Sequence, residues 1–219
     1  KPIGNFQMDD LDYFGLSEVF VNKYVQTNDT LSLKYYAIQI LQDLTRFHMM
    51  DKEDVDPLVD VEMKRLSFIY ANSNNPDKEE LYMKALKKLE QRYIKERISS
   101  EVSYMIAMEY YNRGQKYNPL QSDENKWMVK KAYDYCDNAL ERFGTGYGPD
   151  NCRYLKKTIE YKQMTLNLES YVTPGQFSKA LLSYKNIDKV YFRVIEIDKF
   201  KYDNQVRTLY NEKIVEYFR

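Results

Sequence analysis

From about Leu16 to Tyr161, apolar residues recur every three to four positions, and near Met164 the spacing drops to two. The first pattern predicts a series of amphipathic helices. The first covers Leu16 to Gln26, with Val19, Phe20, Lys23 and Tyr24 near one face. Asp29 or Thr30 caps a second, which runs to about Met49 with an apolar stripe of Ala37, Ile40, Leu41, Leu44 and Phe47. Asp56-Pro57 starts a third (Val59, Met63, Leu66, Tyr70), because proline loses nothing at a position whose amide has no helical acceptor. Asn75-Pro76 starts a fourth in the same way (Tyr82, Leu86, Leu89, Tyr93). A break at Ser99-Ser100 precedes a fifth (Val102, Ile106, Tyr110). A sixth spans Asp123 to Phe143, with Gly144 as a left-handed C-cap, and a seventh spans Pro149 to Tyr161.

Beyond that point Met164, Leu166 and Leu168 alternate with polar residues, and so do Ala180, Leu182 and Tyr184. Asn186-Ile187-Asp188 reads as a turn into the strongest strand, Lys189 to Ile197, so a hairpin is expected there. Helical spacing returns from Asn204 to Phe218. The expected fold is mainly α: stacked antiparallel α-hairpins over residues 1–163, then a short β segment and a terminal helix over 164–219.

The fifth and sixth helices carry a tetratricopeptide-like pattern. Ile106, Ala107, Tyr110 and Gly114 match the first helix of such a repeat, and Ala132, Ala139 and Leu140 match its second. The small residues let two backbones approach. About 13 extra residues around Tyr117-Asn118-Pro119 break the period, so a helix-hairpin stack is better supported than a regular right-handed superhelix.

Composition narrows the function. Lys plus Arg equals Asp plus Glu at 33 each, interspersed as on solvated helix faces. This balance argues against non-specific nucleic-acid binding and against a basic membrane-surface helix. No apolar run is long enough to span a bilayer. The opening Lys-Pro-Ile-Gly lacks an initiator Met, so a processed or trimmed parent chain is expected. Tyrosine is abundant at 22 residues, and its helical spacing points to helix–helix packing; the alternative is an aromatic groove for a peptide or glycan.

Candidate chemistry is sparse. His48, the single histidine, excludes multi-histidine metal sites and disfavours a Ser-His-Asp or Cys-His apparatus. Its place near a helix end suits the terminal carbonyls. Cys136 and Cys152 are expected to be offset by several ångströms along neighbouring helices, which favours two buried thiols over a disulfide. Gly144-Thr145-Gly146-Tyr147-Gly148 lacks the Lys-Ser/Thr of a phosphate loop and reads as a flexible helix–helix connection. Asp9-Asp10 and Glu79-Glu80 sit at helix starts, and Asn28-Asp29-Thr30 is a formal glycosylation sequon. No cofactor motif is found, and no catalytic residue is assigned.

The segment Tyr184-Lys185-Asn186-Ile187-Asp188-Lys189-Val190-Tyr191-Phe192-Arg193-Val194 resembles the opening strands of the first macroglobulin-like domain in the alpha-2-macroglobulin-like envelope proteins of Bacteroidetes. In that family a helical, repeat-like region precedes the β domains. The resemblance implies an exported parent, periplasmic or lipid-anchored at the outer membrane, that traps or inhibits proteases. It implies further β domains of the same chain as partners, and a protease by analogy. The family's Cys-Gly-Glu-Gln thioester is not found: Cys152 precedes Arg153 and Cys136 precedes Asp137. Three roles follow. The first is a non-catalytic scaffold. The second is a peptide- or protein-binding adaptor, with Tyr110, Tyr111 and Tyr117 as the candidate surface. The third is an enzyme built on carboxylates and aromatics, which a buried, paired carboxylate in a cleft would favour.

Overall fold

The structure is a computed structural model that describes residues 6–196 and 198–206. The chain divides into two compact units, Lys1–Glu160 and Tyr161–Arg219. A 3-10 turn (Leu11–Phe14) opens the first unit. Seven helices follow: α1 (Ser17–Asn22), α2 (Leu33–His48), α3 (Asp56–Asn72), α4 (Lys78–Arg92), α5 (Ser99–Gln115), α6 (Met128–Phe143) and α7 (Tyr147–Glu160). In the second unit lie β1 (Gln163–Leu168), β2 (Ala180–Lys185) and α8 (Lys199–Val206). The protein is thus mainly helical, with a short antiparallel sheet and a further helix after the helical array.

Each helix of the first unit packs on the next, and α5 also touches α7. The expected stripes of α3, α4 and α5 form the core: Val59, Leu66, Leu86, Leu89, Val102 and Ile106 are buried together. The close α5–α6 approach rests on the small residues. Ala107, Ala132 and Ala139 are fully buried. A methyl group on Gly114 would lie 2.8 Å from the backbone nitrogen of Val129, so only glycine lets the end of α5 meet the start of α6. That start is Met128, five residues later than expected, because residues before it form turns.

One buried ion pair ties the N-terminal segment to the array. Arg65 on α3 donates to both carboxylate oxygens of Glu62, at 2.9 and 2.6 Å. It also donates to the carbonyls of Tyr13 (2.6 Å) and Gly15 (2.9 Å). Its guanidinium lies 4.5 Å from the centre of the Phe20 ring. The 3-10 turn and the start of α1 are held against α3 by these contacts.

The expected face of α2 is not the buried one. The core takes Ile38, Gln42 and Thr45, while Ile40, Leu44 and Phe47 are 59%, 41% and 68% exposed. Backbone anchoring explains the choice. Gln42 Nε2 donates to the carbonyls of Phe20 and Lys23, both at 2.8 Å, and Arg46 donates to that of Val21 at 3.1 Å. These bonds satisfy carbonyls at the end of α1, which has only six residues, and they fix which side of α2 faces inward. The short α1 also leaves Val19 and Tyr24 exposed. Ser32, not Asp29 or Thr30, caps α2, accepting from the Tyr35 amide at 3.3 Å.

The α6–α7 connection is a fitted turn. Gly144 has φ +63 and ψ −57, outside the left-handed helical region expected of it. Gly148 is buried, and a methyl group there would lie 2.6 Å from the Glu101 amide nitrogen. Because α7 starts at Tyr147, two residues early, Cys152 lies deeper in its helix and its offset from Cys136 along the helix axes is smaller than expected. Both thiols are free and buried.

In the second unit β1 pairs antiparallel with β2, from Gln163–Lys185 to Leu168–Ala180. The expected partner of β2, Lys189 to Ile197, is not a strand over residues 189–196, and Ile197 lies outside the described residues. Asn186 turns the chain at φ +55 and donates to the Tyr161 carbonyl at 3.2 Å, so the ladder of β2 is taken up by β1. The helix expected from Asn204 to Phe218 lies largely outside the described residues; α8 begins earlier, at Lys199. All six residues of β1 are exposed.

Candidate functional site

A groove of about 1050 Å³ runs along α4 and is closed at its sides by the ends of α5 and α6. Glu80, Met83, Lys84, Lys87, Lys88 and Gln91 line it from α4, an i, i+3, i+4, i+7, i+8, i+11 series that marks one helix face. The core face of α4, carrying Tyr82, Leu86 and Leu89, is adjacent. Helix geometry therefore sends apolar residues inward and a lysine row toward the open side.

The floor is apolar and aromatic. Met83, Met128, Leu16 and Tyr110 supply it. Tyr110 is buried but for its edge. Its ring centre lies 5.5 Å from that of Tyr135, and its hydroxyl accepts from Lys87 Nζ at 2.8 Å. That bond to Tyr110 raises the Lys87 ammonium above the usual lysine range, so it stays charged. Lys87 and Lys131 also stand over the Tyr110 ring, at 5.3 and 5.8 Å.

The rim is cationic. Lys84, Lys87, Lys88, Arg92, Arg113 and Lys131 face a single lining carboxylate, Glu80. Arg92 is neutralised by a bidentate pair with Glu18, at 3.0 and 2.5 Å. Arg113 donates to the Glu79 carbonyl at 3.1 Å, and its Nε is buried with no acceptor among the described residues. Lys84 and Lys88 are exposed and make no ion pair among the described residues. The groove can hold an anionic chain over an apolar floor.

Of the three tyrosines expected to form an interaction surface, Tyr110 lines this groove. Tyr111 packs half-buried against the core, and Tyr117 lies half-buried beyond the end of α5. The structure therefore does not bring the three onto one open face. The lysine row was missed because interspersed charge reads as solvated surface. Its signal in the sequence is Lys84, Lys87 and Lys88 at three-and-four spacing, but Arg113 and Lys131 join it only through the fold.

A buried, paired carboxylate does exist in Glu62, but its partner is Arg65 and the space beside the pair is about 10 Å³. That is at the lower limit for one water and leaves no room for a substrate. Hydrogen-bond donation to Cys152, then burial, pushes the Cys136 thiol up and keeps it neutral. Among the described residues no three His, Cys, Asp or Glu side chains come together to hold a metal ion. No helix among them is long and apolar enough to cross a membrane.

A second surface feature lies on α2. Leu33, Tyr36, Ile40, Leu44 and Phe47 form an exposed apolar stripe on one face, flanked by exposed Leu31 and Met50. From Leu33 to Phe47 it extends about 21 Å. No protein-family model, curated protein or solved structure matches this chain.

Proposed function

We propose that the helical unit is a non-catalytic platform in a longer, alpha-2-macroglobulin-like envelope protein, and that the exposed face of α2 is where a β domain of the same parent chain seats. The observation that carries this reading is the open α2 stripe. Helix faces that a stacked array turns to water are ordinarily polar. Here the outer face carries five large apolar side chains in a row. Contiguous apolar surface of this kind marks an interaction site. The exposed β1–β2 pair adds to it, because two strands alone are marginal in water and gain stability from more sheet. The resemblance at Tyr184 to Val194 is what suggests a macroglobulin-like domain as the source of further sheet.

The experiment is detection of the native protein with an antibody against the helical unit, after cell fractionation. The reading expects a polypeptide far longer than 219 residues in the envelope fraction. A species of about this length in the soluble fraction overturns it.

The second reading, a peptide- or protein-binding adaptor, is favoured by the α4 groove and its Tyr110 wall. A platform and an adaptor are compatible, since the α2 stripe and the groove are lined by different residues.

A further inference from the structure

We infer that the α4 groove binds an acidic peptide segment carrying an apolar anchor residue. The inference rests on the adaptor reading and names its ligand. Three observations carry it. The first is charge. The whole chain is neutral, with 33 basic and 33 acidic residues, yet the groove gathers six cationic side chains around one lining carboxylate, and five remain once Arg92 is paired with Glu18. The second is a local cost. Lys84 and Lys88 stand one turn apart on α4, with Lys87 between them, and like charges at that spacing weaken a helix. Folding gives no return for this, because neither Lys84 nor Lys88 makes an ion pair among the described residues. The third is the floor. Met83 and Met128 are flexible apolar side chains, which adapt to an inserted aliphatic or aromatic group.

The lined face of α4 from Glu80 to Gln91 is about 16 Å long. It matches about five residues of extended chain. Lysine rows spaced about 6 Å apart along a helix face lie within one screening length of one another at physiological salt. Their fields therefore add over the apolar floor, where a carboxylate-bearing segment is attracted and its anchor side chain is desolvated. A free anion lacks the anchor, and a basic or neutral peptide lacks the attraction.

The test uses the 219-residue chain and fluorescence anisotropy of a fluorescein-labelled peptide of alternating Glu and Leu. A matched peptide with Gln for Glu and a labelled oligo-dT serve as comparators. The expected result is saturable binding of the acidic peptide that weakens as salt rises from about 0.05 to about 0.5 M. Lys84→Glu/Lys88→Glu should weaken it by about tenfold or more. Lys34→Glu/Lys157→Glu, of equal charge change but outside the groove, should leave affinity within about twofold. Circular dichroism verifies that each variant keeps its helices. Equal binding of the Gln and Glu peptides, still lost on substitution of Met83→Glu, overturns the acidic class but keeps the adaptor reading. No binding of either peptide overturns both. Tighter, groove-dependent binding of oligo-dT overturns the peptide assignment in favour of nucleic acid.

Discussion

Substitution of Arg65→Met removes the guanidinium that holds the N-terminal segment to α3. Four hydrogen bonds disappear: two to Glu62 and one each to the carbonyls of Tyr13 and Gly15. Met nearly conserves volume, so the cavity is small; the loss is electrostatic. Glu62 would remain with its side chain 3% exposed and no cation beside it. Leaving one partner of a buried pair unmatched costs about 3–5 kcal/mol. For a chain of this length each kcal/mol lowers the melting temperature by about 2–4 °C, so a drop of about 6–20 °C is expected. The assay is thermal unfolding, with urea unfolding for the free energy, followed by circular dichroism at the helical band, to which α1 to α7 of the first unit contribute most of the signal. The double variant Glu62→Leu/Arg65→Met should recover most of the loss, because it removes the stranded charge as well. A loss below about 1 kcal/mol in the single variant would show that the pair is solvated and that the N-terminal segment is held by other contacts. A double variant no better than the single one would refute the electrostatic account.

Three further outcomes follow from other contacts. Gly114→Ala should destabilise the protein by about 1–3 kcal/mol despite alanine's higher helix propensity, since the added methyl meets the Val129 backbone; thermal melting measures it. Cys136 and Cys152 should resist alkylation by iodoacetamide in the native protein and both react after unfolding, as mass spectrometry would read. The Arg92 hydrogen bonds hold the Glu18 carboxyl below its usual range, so the stability it contributes is present above the unfolded value near 4.3 and is lost as pH falls through the folded one. Arg92→Gln should therefore cost up to about 1 kcal/mol at neutral pH, with the gap to the parent closing in acid, since both partners are substantially exposed.

How far the sequence foretold this structure varies by element. The α5–α6 pair was legible because Ala107, Gly114, Ala132 and Ala139 state their own reason: each permits a close backbone approach. The α3 and α4 stripes were legible from periodicity alone, and so was the change to strand spacing near Gln163. The α2 face was not. Its apolar period runs through Ile40, Leu44 and Phe47, but long-range hydrogen bonds from Gln42 and Arg46 to α1 carbonyls decide its orientation. Those partners lie about 20 residues away in sequence, and no local pattern encodes them. The hairpin was placed one strand too late for a similar reason, because strand pairing depends on which edge is nearest in space, and β1 takes it. Tyr110 was singled out from its repeat position, but the lysine row beside it gains meaning only when α4, α5 and α6 are set side by side.

The proposed platform role requires that the exposed face of α2 be covered in a longer parent protein. Hydroxyl-radical footprinting of Leu33, Tyr36, Ile40, Leu44 and Phe47, in the monomeric 219-residue chain and in the full-length parent, tests it directly. Core residues Leu66 and Ile106 serve as the internal reference. The account predicts strong labelling of the α2 stripe in the short chain and several-fold protection in the parent, with the core unlabelled in both. Equal labelling of the stripe in the two proteins would contradict it.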